Sequence, residues 1–439
     1  MLILLTHANH IYSDRKQARK MQPYPPLQTL LAVSLLRREG HDVRFFDCTF
    51  DRDFVAALDA HKPDMVAVIE DNFNFLTKMC LLENRSLACE IAREARTRGI
   101  PSIINSSDAT SNPAAYVAAG FDRVIVGELE DTLVDLCRQW PNCVAGTQGA
   151  TPRPPVADLD TLPMPAWDVL DMRGYRTAWR EAHGYFSVNL VASRGCPYRC
   201  NWCAKPVHGD AYRTYSPDRV AAEMECVLDL MAPDHIWFAD DIFALSPKWA
   251  REFATCVERR GVRIPYKMQS RCDLMTRDTV AALAQSGCAE IWMGAESGSQ
   301  RVLDRMEKGI RVQHIGEARE NLRRHGIRAC LFLQFGYLGE EWEDIEATIR
   351  MVREVQPDDI GVSVSYPLPG TRFHQIVQQG IPADSHWRDS DDVSMMYSGA
   401  YPTDFYRALS EALHTEVRSG VSAAQSAWDQ VETLRCACC

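Results

Sequence analysis

The sequence predicts an α/β chain: an N-terminal doubly wound, Rossmann-like domain, then a partial (β/α)6 barrel, then a mixed or helical C-terminal tail. Three observations carry this. Short apolar runs alternate with helical stretches over residues 1–140, prolines crowd the segment that follows, and the alternation resumes with a longer period from residue 186.

In the first stretch the runs LILLT (2–6), DVRFFD (42–47), MVAVI (65–69), SIIN (102–105) and RVIV (123–126) suit a buried parallel sheet. Helical patterns lie between them, from Pro26 to Arg38 and from Phe75 to Arg98. Pro152, Pro154, Pro155, Pro163 and Pro165 interrupt any periodicity, so residues 141–185 read as a linker.

Beyond it the strand candidates are SVNLVAS (187–193), HIWFAD (235–240), YKMQSR (266–271), EIWMGAE (290–296), ACLFLQFGY (329–337) and IGVSVSYP (360–367). Ser216 and Pro217 open a helix whose Val220, Met224, Val227, Leu228 and Met231 share one face, and Ser246 and Pro247 open the next in the same way. Six such units make residues 186–370 an incomplete barrel, with its active site expected at the C-terminal strand ends. Residues 371–439 form a C-terminal extension, helical from about 402 to 434, that ends in Arg435-Cys-Ala-Cys-Cys.

A formal charge of -11 argues against nucleic acid or an anionic membrane surface as the main partner. No apolar run approaches the roughly 20 residues of a membrane span, and the N-terminus lacks the basic leader of a signal peptide. The expected location is the cytoplasm. A disulfide framework does not suit such a chain, so its 16 cysteines need another account. Ten are scattered and read as buried reduced thiols. The other six form two tight groups.

The first group is Cys196-Pro-Tyr-Arg-Cys200-Asn-Trp-Cys203, directly after the first barrel strand. A short loop can bring three thiolates onto one face of an iron–sulfur cubane, which leaves the fourth iron open to a substrate. A structural zinc site would need a fourth ligand, and the nearest candidate, His208, stands at an irregular spacing.

Cys-x3-Cys-x2-Cys with an aromatic before the last cysteine resembles the radical S-adenosylmethionine (SAM) superfamily. That resemblance implies a [4Fe–4S] cluster held by Cys196, Cys200 and Cys203, with SAM chelated on the open iron. It extends to Phe238-Ala-Asp-Asp241, Gln269-Ser-Arg271, Gly294-Ala-Glu-Ser-Gly298 and Pro367-Leu-Pro-Gly-Thr371, each at a strand end. By the same likeness Trp202, Asp240, Asp241, Ser270, Arg271 and Glu296 contact SAM, and a flavodoxin or ferredoxin supplies electrons. Pro25-Pro-Leu-Gln-Thr, Gly120-Phe-Asp-Arg-Val-Ile-Val-Gly-Glu128 and Leu162-Pro-Met-Pro-Ala-Trp167 are similar to the branch with an N-terminal cobalamin-binding-type domain. The Asp-x-His-x-x-Gly motif that supplies an axial histidine to cobalt is absent, so cobalamin stays open.

The second group, Cys436, Cys438 and Cys439, is a soft chelate suited to a thiophilic centre. Arg435 and this trio resemble the C-terminal motif of radical SAM enzymes that build carbon–arsenic bonds in arsinothricin biosynthesis, although the spacing differs. The leading expectation is therefore transfer of SAM's 3-amino-3-carboxypropyl group to arsenite presented by the trio. The alternative is a cobalamin-dependent radical SAM methyltransferase acting on an unactivated carbon of a small molecule.

Overall fold

The computed structural model describes residues 1–73, 82–139, 153–381 and 393–437. They fall into two compact units: Met1–Gly195 with Lys205–Ala239, and Cys196–Ala204 with Asp240–Cys439.

The first unit opens with strands β1 (Leu2–Thr6), β2 (Asp42–Phe46), β3 (Met65–Ile69), β4 (Ser102–Asn105) and β5 (Arg123–Val124). They form a parallel sheet in the order β2-β1-β3-β4-β5. This is a doubly wound order whose switch point lies between β1 and β3, where ligand sites of such sheets gather. Every residue of β3 is buried, as the unbroken apolar run requires. Helix Leu27–Arg38 exposes only its basic end, and helix Leu82–Thr97 buries a stripe of Leu87, Ala88, Ile91, Ala92 and Ala95. The latter is the described part of the helix expected from residue 75; its first residues lie outside the described chain.

The linker holds an element that periodicity did not suggest: a helix, Met172–His183, capped by Asp171 and ended by left-handed Gly184. Its buried stripe is only Tyr175 and Trp179, two large side chains four residues apart. Trp179 donates to Pro23 O at 2.6 Å, and Tyr175 Oη to Asp47 at 2.8 Å. Two aromatics carry the packing, and the rest of the helix is polar.

The unit continues with β6 (Ser187–Leu190), β7 (Ser193–Arg194), β8 (Arg213–Thr214) and β9 (His235–Phe238). The single strand expected over 187–193 is thus two pieces. β6 pairs parallel with β9, while β7 turns away to pair antiparallel with β8. Helix Pro217–Met231 starts as anticipated, with the Ser216 side chain accepting from Arg219 N.

The second unit contributes β10 (Tyr266–Arg271), β11 (Cys288–Glu296), β12 (Arg328–Phe335) and β13 (Asp359–Val364), parallel neighbours in that order. Helices Arg277–Ser286 and Trp342–Val355 are among their crossovers. Helix Pro247–Arg260 precedes β10 with Ser246 as its cap. With β6 and β9, the parallel strands reach the six expected of the partial (β/α)6 barrel. The tail is two helices, Thr403–Ser419 and Val421–Cys436, broken at Gly420, where φ is +89°. No helix among the described residues is long and apolar enough to cross a membrane.

Candidate active site

The cysteine loop belongs to the second unit. Cys196, Cys200 and Cys203 are reduced and partly exposed, and Cys203 N donates to Cys200 O at 3.1 Å, a turn that shortens the span between the two thiols. Among the described residues no three His, Cys, Asp or Glu side chains converge in ligand geometry, so the thiols share a loop without meeting at a point.

Asn201 is the pivot of the loop. Its N–H donates to Met306 O at 3.0 Å, its carbonyl accepts from Phe373 N at 2.9 Å, and its side-chain amide donates to Arg305 O at 2.7 Å and to Tyr337 Oη at 2.9 Å. A buried amide so fully spent is a positioning device. Sequence reasoning passed over it because all its partners are at least a hundred positions away. Trp202 packs against Val302, Met306, Tyr337 and Phe373, and its buried Nε1 has no hydrogen-bond partner among the described residues.

Two cations stand beside this loop. The Arg271 guanidinium carbon lies 3.6 Å from the Tyr198 ring centroid, and Asp273 holds its Nε–Nη2 edge at 2.9 and 3.1 Å. Arg271 Nη1 is buried with no hydrogen-bond partner among the described residues, a donor left for something else. Lys308 Nζ is 5.9 Å from the Trp202 ring centroid and 2.7 Å from Glu296 Oε1. Burial pulls the Lys308 ammonium down, but Glu296 and then the Cys200 sulfur more than restore it, so it stands above an ordinary lysine. Lys308 carries no motif that would single it out in the sequence.

Glu296 ends β11 in the left-handed region at φ +60°, next to a register shift between Gly294 and Glu296. A non-glycine residue held there is strained, and such strain gathers at working sites. A Cβ on Gly294 would lie 2.5 Å from Lys308 Nζ and 2.6 Å from Glu296 Oε1, so only glycine leaves the pair intact. Strand alternation separates the other expected SAM contacts. Arg271 turns toward Tyr198, while the neighbouring Ser270 donates to Phe243 O at 3.0 Å and ties down the segment after β9. Asp240 is buried and Asp241 partly exposed at the head of that segment.

Of the terminal trio only Cys436 falls within the described residues; Cys438 and Cys439 lie outside them. Cys436 is exposed at the end of its helix, 3.6 Å from Glu432. Arg435 lies over Trp342, 4.5 Å from its centroid, at the head of the helix that follows β12. His208, the possible zinc ligand, is buried against Glu128 and Phe73 in the first unit. Six of the scattered cysteines (Cys48, Cys137, Cys256, Cys272, Cys288 and Cys330) are buried as expected. Burial pushes the Cys48 and Cys272 thiols up to about 12, far from reactivity.

The donor set fits an iron–sulfur cluster with SAM: three reduced thiols within eight residues, two cations beside them, and unspent N–H groups on Trp202 and Arg271.

Comparison with known proteins agrees. Residues 190–352 match the model of the radical SAM superfamily. The chain is 26% identical over 390 residues to an uncharacterized methyltransferase of Pyrococcus horikoshii, covering 83% of this chain and 81% of that one. It is 27% identical to the hopanoid C-3 methylase of Methylococcus capsulatus, covering 79% and 67% respectively. In fold it is similar to the radical SAM methyltransferase TsrM of Kitasatospora setae, solved with cobalamin and a [4Fe–4S] cluster bound: TM-score 0.71, 20% identity, 88% of this chain and 76% of that one. The loop, its flanking cations and the match across the barrel agree on one conclusion: residues 190–352 form a radical SAM domain, whose cofactors are a [4Fe–4S] cluster and SAM.

Proposed function

We propose that this enzyme is a cobalamin-dependent radical SAM methyltransferase that methylates an unactivated carbon of a small molecule. The observation that carries the reading is the extent of the likeness. It runs through the N-terminal domain as well as the barrel, and the P. horikoshii and M. capsulatus relatives are named as a methyltransferase and a methylase.

The first unit supports it chemically. At the C-terminal edge of the five-stranded sheet, Gln28 Oε1, Glu70 Oε2, Glu130 Oε2 and Asn189 Oδ1 are buried acceptors without partners among the described residues. Gln28 Nε2 donates to Glu130 at 3.2 Å and Asn189 Nδ2 to Pro25 O at 3.1 Å, so the amides are anchored with their oxygens unspent. A corrin ring is fringed with amide N–H groups, which is the complement such a set requires. His7, directly after β1, is not spare: its Nε2 is 2.9 Å from Asp47 and its Nδ1 accepts from Asn9 N at 3.2 Å. Cobalt would therefore go without a ligand from His7.

When bound, the cluster supplies the electron that breaks a carbon–sulfur bond of SAM, and cobalamin supplies the methyl carrier. Cys196, Cys200 and Cys203 would hold the cluster. Trp202, Arg271 and the Glu296–Lys308 pair would orient SAM's polar end, with Asp240 and Asp241 at the neighbouring strand end. Ser270 would act through the segment it ties down. An external flavodoxin or ferredoxin would deliver electrons.

The alternative, 3-amino-3-carboxypropyl transfer to arsenite on Cys436, Cys438 and Cys439, was placed first by the sequence and now stands second. What supports it is the terminal trio with Arg435, and no relative quoted above concerns arsenic. The two readings differ in product. After anaerobic reconstitution with cluster, cobalamin and reductant, methylation gives S-adenosylhomocysteine with 5′-deoxyadenosine. Methylthioadenosine formed with arsenite would overturn the methyltransferase reading.

A further inference from the structure

Two arginines outside the site described above stand buried or nearly so in the first unit, where the cysteine loop begins and ends. β7 and β8 pair antiparallel, with Ser193 opposite Thr214 and Arg194 opposite Arg213. The backbone closes further: Tyr215 N donates to Ala192 O at 2.9 Å. A Cβ on Gly195, where φ is +75°, would lie 2.4 Å from Ala211 O. Residues 192–195 and 211–215 are thus a stem from which the loop departs and to which it returns. Like charges directly opposed across an antiparallel pair repel, and Arg194 is 1% exposed, so water cannot screen it.

Glu128 resolves this. Arg213 donates to both of its oxygens, at 2.5 and 2.9 Å. Arg194 Nη1 is 3.6 Å from Glu128 and 2.8 Å from Glu130. His208 Nδ1 lies 3.2 Å from the same Glu128 carboxylate, and Val156 N donates to it at 2.9 Å. Phe73 completes the packing: His208 stacks on its ring at 5.1 Å and 12°, and the Arg194 guanidinium carbon sits 5.3 Å from its centroid. Burial opposes the Glu128 charge, but His208 and Arg213 hold its carboxyl far below the usual carboxylate range.

We infer that Glu128 is the positioning residue of the cysteine loop: by bridging Arg194 and Arg213 it keeps the stem closed, so that Cys196, Cys200 and Cys203 are presented to the cluster at a fixed spacing. The inference rests on those three cysteines being the cluster ligands and extends it to a residue nearly seventy positions upstream.

The test is Glu128→Gln, which keeps the shape and removes the charge. In the apo chain, amide exchange across residues 194–215 should quicken about tenfold. After reconstitution with iron and sulfide, most of the iron should be lost on desalting. The electron paramagnetic resonance signal of what remains should change, with partial rescue in Glu128→Asp. Leu133→Ala, in the core of the same unit, controls for general destabilisation and should keep both iron and signal. E128Q/R213Q removes one charge of each sign and should regain iron if the single variant misfolds. Full iron and an unchanged signal in E128Q, equal loss in L133A, or no recovery in the double variant would overturn the inference. A cluster retained by Cys196→Ser would instead overturn the ligand assignment.

Discussion

Replacing Lys308 by methionine removes one half of a buried ion pair and leaves the other in place. Lys308 is 6% exposed and Glu296 4%, and their charged atoms are 2.7 Å apart. Breaking such a pair from one side strands an uncompensated carboxylate, at a cost of about 3–5 kcal/mol. Glu296 also occupies a strained φ of +60°, which the pairing helps to hold, so the loss should appear first at the end of β11. Hydrogen exchange is the right assay because it reads β11 locally, whereas global unfolding of a chain with two units has no single midpoint. The opening free energy of Cys288–Glu296 should fall by most of that amount. Adding Glu296→Gln should recover much of it, since a neutral amide costs only about 1–3 kcal/mol when unpaired. The recovered double variant should still bind SAM poorly. A loss below about 1 kcal/mol in K308M would refute the buried-pair reasoning, because that is the range of solvent-screened pairs.

Other perturbations have equally definite outcomes. Burial, with Asp344 adding to it, pushes Glu340 up to about 8 from an ordinary 4.5, against opposition from the Gly336 N–H and Arg301. Its folded pKa exceeds the unfolded one, so its stabilising contribution is complete below about pH 4.5 and is lost as pH rises through about 8. That contribution is up to ~5 kcal/mol. Hydrogen exchange read around Glu340 across that window should show the wild-type opening free energy falling relative to that of Glu340→Gln; parallel curves would count against it. Gly195→Ala forces a side chain into positive φ and onto Ala211 O, so it should cost more than about 2 kcal/mol and lower iron content. Asn201→Ala removes the side-chain bonds to Arg305 O and Tyr337 Oη and should halve iron retention or worse while far-ultraviolet circular dichroism stays native. Native iron content in either variant would remove that residue from the support of the cluster.

The fold was legible because its evidence is local. Each strand of the first sheet is a short apolar run, and Ser216-Pro217 and Ser246-Pro247 announce helix starts within four residues. The cysteine loop was legible for the same reason. What escaped was long-range. Helix Met172–His183 was hidden because two aromatics carry its buried face. Glu128 pairs with Arg213 across 85 positions, and Asn201 with Tyr337 across 136, and no spacing rule connects them. Lys308 reaches back only 12 positions to Glu296, but a lone lysine after a short helix gives no signal of burial. The division of the strand over 187–193 follows from pairing, since β7 finds its partner at Arg213–Thr214. The terminal trio shows the converse: a conspicuous local motif whose role depends on the acceptor molecule.

The central claim is that Cys196, Cys200 and Cys203 hold the cluster that cleaves SAM. The most direct measurement is anaerobic reconstitution of the chain beside Cys196→Ala, Cys200→Ala and Cys203→Ala, with iron counted and SAM-derived products quantified after reduction. The wild type should hold about four irons per chain and convert SAM to 5′-deoxyadenosine, and each variant should lose both properties together. A variant that keeps the cluster, or cleavage that persists without it, would contradict the account.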